Sequence, residues 1–136
     1  MPPMDQASRA DDMASRLRRV AGLDVDAGLA FVGNNVDVYA RLLARFVQLH
    51  EADVSEIVRQ VQCAGLSAVQ QMAHSIKGGA ATLGLTALAS RAQQIEQAAR
   101  EDGPHERLPE LAAALQTDYA TLSRHLAKAA GSGAEP

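Results

Sequence analysis

The chain has 136 residues, a formal charge of −3 and one cysteine, so a single compact domain is expected. These numbers exclude a basic footprint for nucleic acid, a disulfide framework and a multi-cysteine zinc site, and no apolar run reaches the roughly 18 residues a membrane span needs. Alanine fills 27 positions while aromatics make up only 3%, which favours close-packed helices over strands. The N-terminus lacks an apolar signal core, which leaves the cytoplasm as the expected location.

Residues 1–8 and 131–136 read as frayed tails around a domain at 9–130. Between Met4 and Gly103 there is no proline, which permits a long helical stretch. Met13, Leu17 and Val20 mark a weak amphipathic helix over 9–21. Asp24 or Asp26 can cap a short helix carrying Leu29, Phe31 and Val32 and ending near Gly33. Asn34 or Asn35 then caps a long helix with apolar positions Val38, Leu42, Phe46, Leu49, Val54, Ile57, Val58 and Val61, with room for a kink near Leu49–Glu51. Cys63, alone inside that helical pattern, reads as a small buried hydrophobe.

Gly65-Leu66-Ser67 and Gly84-Leu85-Thr86 share one grammar: glycine ends a helix and the hydroxyl residue caps the next. Ser67 with Gln70 also fits a capping box. Asp102-Gly103-Pro104 marks a third turn, before a last helix from Glu106 to Ala129 with Leu108, Leu111, Leu115, Leu122 and Leu126 inward. The expected fold is all-α, an antiparallel up-down four-helix bundle with short accessory N-terminal helices.

The helix over 68–83 breaks its own rules. At about 100° per residue, Val69, Met72, Ala73, Ile76, Ala80 and Leu83 share the core face, and His74 lies about 140° away, toward solvent. Lys77, Gly78, Ala81 and Gln70 are its neighbours one or two turns along. Gly78 and Gly79 each cost roughly 0.5–1 kcal/mol against alanine in mid-helix. Close helix packing accounts for Gly79. Gly78 points about 180° from the core, where it bares the surface beside His74. Lys77 is one of only two lysines among thirteen basic residues. It reads either as a solvated surface charge or as a compact cation suited to a phosphoryl group. His50, His105 and His125 have no metal-ligand spacing and read as structural or solvated. No metal site is expected.

The run Ala73-His74-Ser75-Ile76-Lys77-Gly78-Gly79-Ala80-Ala81-Thr82-Leu83-Gly84 resembles the phosphorylation-site motif of histidine-containing phosphotransfer domains. It also resembles the N-terminal domain of chemotaxis histidine kinases. Upstream, Leu23-Asp24, Gly28, Gly33-Asn34, Tyr39, Leu42-Leu43 and Phe46 are more similar to the phosphorelay version. The resemblance covers about residues 22–128. It implies a four-helix bundle with His74 as phosphoacceptor, Lys77 beside the phosphoryl group, and Gly78 giving access. It further implies a docking face of Gln70, Ser75, Gly78, Ala81 and Gln93, with receiver domains and a hybrid sensor histidine kinase as partners. Mg²⁺ would come from the receiver, leaving no cofactor for this chain. No nucleotide-binding glycine motif is visible, so a monomeric phosphocarrier without kinase activity is expected. A chemotaxis-type substrate domain and a non-catalytic helical adaptor are the alternatives.

Hairpin symmetry adds one residue. With a turn near Gly84–Thr86, His74 is level with Glu96 and Lys77 with Gln93. Glu96 sits about 60° off the axis of Leu88, Ala92, Ile95 and Ala99, at the rim of the core. Its carboxylate can hold His74 Nδ1–H, leaving the Nε2 lone pair outward. The alternatives are a solvated glutamate or a pair with Arg100 four residues on.

Overall fold

The computed structural model describes the backbone of residues 2–130 and side chains from Arg9 onward. The helices are α1 (Pro2–Arg18), α2 (Val25–Phe31), α3 (Val36–Gln62), α4 (Leu66–Thr82), α5 (Thr86–Ala98) and α6 (Leu108–Ala129), with a 3-10 turn at His105–Arg107 before α6. The expected C-terminal tail, 131–136, and Met1 lie outside the described residues. α1 begins at Pro2, within the stretch expected as the N-terminal tail. Proline is at home in a first turn, where the missing N–H has no intrahelical acceptor.

The chain is all-helical among its described residues. One isolated antiparallel pairing, Leu23 with Leu85, is the exception. α3 packs on α4, α4 on α5, α5 on α6 and α6 back on α3, closing a ring, while α1 rests on α3 and α6. The core holds Leu43, Ile57, Val69, Ile76, Ile95, Leu111 and Leu115. Leu17 anchors α1 in this core. Arg16 Nε adds a hydrogen bond of 2.7 Å to the Ala129 carbonyl, satisfying one of the last carbonyls of α6.

Of the alternatives for the first caps, Asp24 and Asn35 are the ones used. Asp24 accepts from Ala27 N–H at 3.1 Å and Asn35 from Val38 N–H at 3.1 Å. The two expected hydroxyl caps are not used. α4 starts at Leu66 with Gly65 before it, and α5 at Thr86 with Leu85 before it, and neither has a side-chain cap. A tertiary contact replaces the second one. The Gly22 carbonyl accepts from Ala87 N–H at 3.3 Å and from the Thr86 hydroxyl at 3.1 Å. The loop before α2 thus caps α5, and Thr86 is drawn outward to it.

The same loop meets the α4–α5 turn elsewhere. Asp24 N–H donates to the Gly84 carbonyl at 2.7 Å. Gly84 has φ +80, and a Cβ there would strike the Asp24 carbonyl oxygen, so this turn demands glycine. Tyr39, fully buried, reaches from α3 to donate to the Leu83 carbonyl at 2.6 Å. Burial, helped by the Asp24 charge, pushes its phenol up to about 12, so it stays a donor at neutral pH. Gly28 lies directly under Tyr39, where a side chain would collide with the ring.

α3 runs as one helix through the Leu49–Glu51 stretch. Two further expectations are corrected. Leu49, read as an inward position, is 61% exposed, because the buried arc of α3 runs through Tyr39, Leu43, Phe46, His50, Val54 and Ile57 and leaves it off the edge. Cys63 is exposed as well. It is the residue that ends α3, where the chain has already turned away from the core.

Candidate functional site

Core packing fixes the orientation of α4. Val69, Ala73, Ile76 and Ala80 are completely buried, and with 3.6 residues per turn this turns His74 outward. Its side chain is 69% exposed. On α5, Ala92, Ile95, Ala98 and Ala99 are buried in the same way, leaving Glu96 at the seam between the helices with 18% exposure.

The hairpin brings the two together. His74 Nδ1 lies 2.7 Å from Glu96 Oε2, and Lys77 Nζ donates to Glu96 Oε1 at 2.6 Å. One carboxylate therefore holds two neighbours on its two oxygens. Lys77 was expected level with Gln93, but its four-carbon stem carries the ammonium along the seam to Glu96. The Lys77 hydrogen bond first, and the His74 hydrogen bond after the opposing effect of burial, hold the Glu96 carboxyl below its ordinary range. Glu96 is thus ionised at neutral pH. An ionised carboxylate only accepts hydrogen bonds, so Nδ1 is the ring nitrogen that carries a proton toward Glu96.

The two glycines divide as their wheel positions suggest. A Cβ on Gly79 would come within 3.0 Å of the Phe46 ring, so Gly79 lets α3 approach. Gly78 has nothing within 4 Å of such a Cβ. It makes bare backbone one turn from His74, and its carbonyl accepts from the Thr82 hydroxyl at 3.0 Å. Ser75 and Ala81 are exposed on the same helix, and Gln93 is exposed on α5.

The helical spacing did not reveal the groove beside this cluster. Gln70, Lys77, Gln93, Glu96, Gln97 and Arg100 line a polar cleft of about 300 Å³. Part of the signal was present in the sequence: Gln93 and Gln97 stand one turn apart on α5, on the side of Glu96, and Arg100 follows in the turn after the helix. Glu96 does not pair with Arg100 in this arrangement. Of the remaining histidines, His50 is buried against Phe46 with Nδ1 3.0 Å from Asp53, and His105 caps its turn through the Arg100 carbonyl. His125 is exposed. Among the described residues no three His, Cys, Asp or Glu side chains are placed to hold a metal ion, and no helix is long and apolar enough to cross a membrane.

An exposed imidazole with one nitrogen fixed by a carboxylate and the other free, on bare backbone, is suited to accept an electrophilic group at Nε2. Compared with known families, the chain matches the Hpt domain over residues 41–125, more than half its length. That span contains α4, α5 and the His74–Glu96–Lys77 cluster. No curated protein and no solved structure matches it. The chain belongs to the Hpt domain family, the histidine phosphotransfer domains of phosphorelays.

Proposed function

We propose that the chain is a relay intermediate in two-component signalling, taking a phosphoryl group on His74 from a receiver-domain aspartyl phosphate and passing it to another receiver aspartate. The observation that carries this reading is the contact of His74 Nδ1 with Glu96 at 2.7 Å on an imidazole that is otherwise exposed, one turn from the bare backbone of Gly78. The Nε2 lone pair attacks phosphorus, the P–O bond to the aspartate breaks, and its electron pair stays on the leaving carboxylate. The ring gains positive charge, which the Glu96 carboxylate supports through Nδ1–H. Lys77 lies one turn along α4 and is within reach of the new phosphoryl oxygens. Reversal toward a second receiver needs no proton transfer.

The receiver supplies Mg²⁺ and most of the transfer machinery, and this chain supplies a positioned nucleophile and a docking face. Gln70, Ser75, Gly78, Ala81 and Gln93 surround the nucleophile as that face. The ring of α3, α4, α5 and α6 acts as an antiparallel up-down bundle, within a domain spanning residues 9–130. A hybrid sensor kinase stands upstream, and the protein works as a cytoplasmic monomer without kinase activity of its own.

The test is transfer from a phosphorylated receiver. Label should appear on His74, acid-labile and base-stable, and His74→Gln should take none while unfolding at the wild-type temperature, since an exposed side chain contributes little to stability. Mg-ATP alone should leave the chain unlabelled. Self-labelling with ATP would reveal a kinase function. Labelling only by a kinase catalytic domain would move the chain to the chemotaxis type, and no labelling under any condition would leave a helical adaptor.

A further inference from the structure

The polar groove holds two cations, Lys77 and Arg100, against one carboxylate, Glu96. In the resting arrangement Lys77 has the carboxylate. Arg100 forms no ion pair with a described residue, unlike Arg91 on α5, which is held by Asp118 at 3.1 Å and Gln94 at 3.1 Å. Arg100 lies four residues after Glu96, in the turn that follows α5, and lines the same groove. The geometry provides a second partner for Glu96 that the resting state leaves idle.

The charges give that partner a use. A phosphoryl group on Nε2 brings about two negative charges within one turn of Lys77. The single ammonium then has two claims on it, and Glu96 without Lys77 would face the phosphoryl group uncompensated. We propose that Arg100 is a positioning residue that takes Glu96 Oε1 when Lys77 turns to the phosphoryl group. Oε2 then keeps its hold on Nδ1–H through the phosphorylated state. No covalent bond changes in this exchange: one ion pair replaces another. The proposal rests on the reading of His74 as phosphoacceptor, and its test is built to separate the two.

The first arm uses the unphosphorylated protein. The His74 tautomer ratio is read from its ring ¹⁵N shifts in wild type, Lys77→Ala, Arg100→Ala and the double variant. Lys77→Ala stands in for the departure of Lys77. Each single variant should keep the Nδ1–H form, because the other cation remains. The double variant should lose it beyond the sum of the singles by about twofold, the size of one exposed ion pair. Lys77→Ala with Arg100→Lys should behave like Lys77→Ala alone, whereas Lys77→Ala with Arg100→Gln should behave like the double variant. Additive effects would overturn the proposal.

The second arm phosphorylates His74 with phosphoramidate and follows the Arg100 Nε–H signal. It should shift and exchange more slowly with water in wild type, and do neither in Glu96→Gln. A phosphorylated His74 with an unmoved Arg100 signal overturns the exchange alone. Failure to phosphorylate His74 at all strikes the phosphoacceptor reading, while the first arm still decides whether Arg100 can replace Lys77.

Discussion

At the scale of single residues, the proposed function gives Glu96 and Gly78 opposite jobs: one holds His74 through Nδ1, the other leaves the surface beside it bare. Because Glu96 titrates below its ordinary range in the folded chain, its ion pairs stabilise the fold at pH values above the ordinary glutamate value of 4.5 and fade as pH falls through the folded value. The stability gap between wild type and Glu96→Gln should therefore be flat from pH 6 upward and close under acid, as urea unfolding across pH would show. A gap that widens in acid would contradict the ion pairs. At neutral pH Glu96→Ala should also raise the Nε2–H tautomer of His74 and slow transfer without abolishing it, since the nucleophile and docking face remain. Gly78→Leu makes the converse point. Its Cβ meets nothing within 4 Å, so the helix should gain up to about 1 kcal/mol from propensity. Receiver-driven phosphorylation should nonetheless slow, because the new side chain projects beside His74. A variant both more stable and equally fast would show that nothing docks there.

Among the helices, what was legible in the sequence depended on who supplies the cap. Asp24 and Asn35 cap their own helices through short local side chains, so a local signal could find them. The start of α5 is capped by the Gly22 carbonyl, a partner far away in sequence, and no local pattern encodes it. The buried faces were legible for the same reason of locality: period 3.6 gives a face's direction, but not how wide an arc the neighbours cover, which is why Leu49 and Cys63 were misplaced. Helix ends show the converse contrast. α3 ends with Ala64 at φ +58, and α4 ends with Gly84 at φ +80. In both, the next residue's N–H reaches back to the helix, Gly65 to the Gln60 carbonyl at 2.8 Å and Leu85 to the Ala80 carbonyl at 2.8 Å. The left-handed conformation costs a residue with a Cβ about 1–2 kcal/mol. Ala64→Gly, at an exposed site, should thus raise stability by about 1 kcal/mol after the entropy cost of glycine. Gly84→Ala should lower it by about 2 kcal/mol or more, because strain and the collision with Asp24 add. Equal shifts in the two unfolding midpoints would contradict this account of the turns.

Over the whole molecule, the site is a property of three helices, and the sequence made two of them plain. The His74 motif and the seam position of Glu96 follow from the hairpin of α4 and α5, which a short turn fixes. The contribution of α3 does not, because it depends on how α3 lies against α4. Tyr39 meets the Leu83 carbonyl, and Phe46 and His50 lie beside Gly79, so the two helices run in opposite directions and Leu49 falls level with Gly79, in the last turns of α4. There it stands 61% exposed, a large apolar side chain somewhat over one turn along the α4 axis from His74. Exposed apolar groups close to a polar cluster are the usual centre of a docking face. Leu49→Asp should leave the unfolding midpoint almost unchanged, within about 0.5 kcal/mol, since little is buried to lose. It should leave phosphoramidate labelling of His74 at the wild-type rate, because the small donor needs no docking. Transfer from a phosphorylated receiver should fall about five- to tenfold, the loss of a modest interface anchor. Receiver-driven transfer at the wild-type rate would confine the docking face to α4 and α5 and leave Leu49 as an incidental surface leucine.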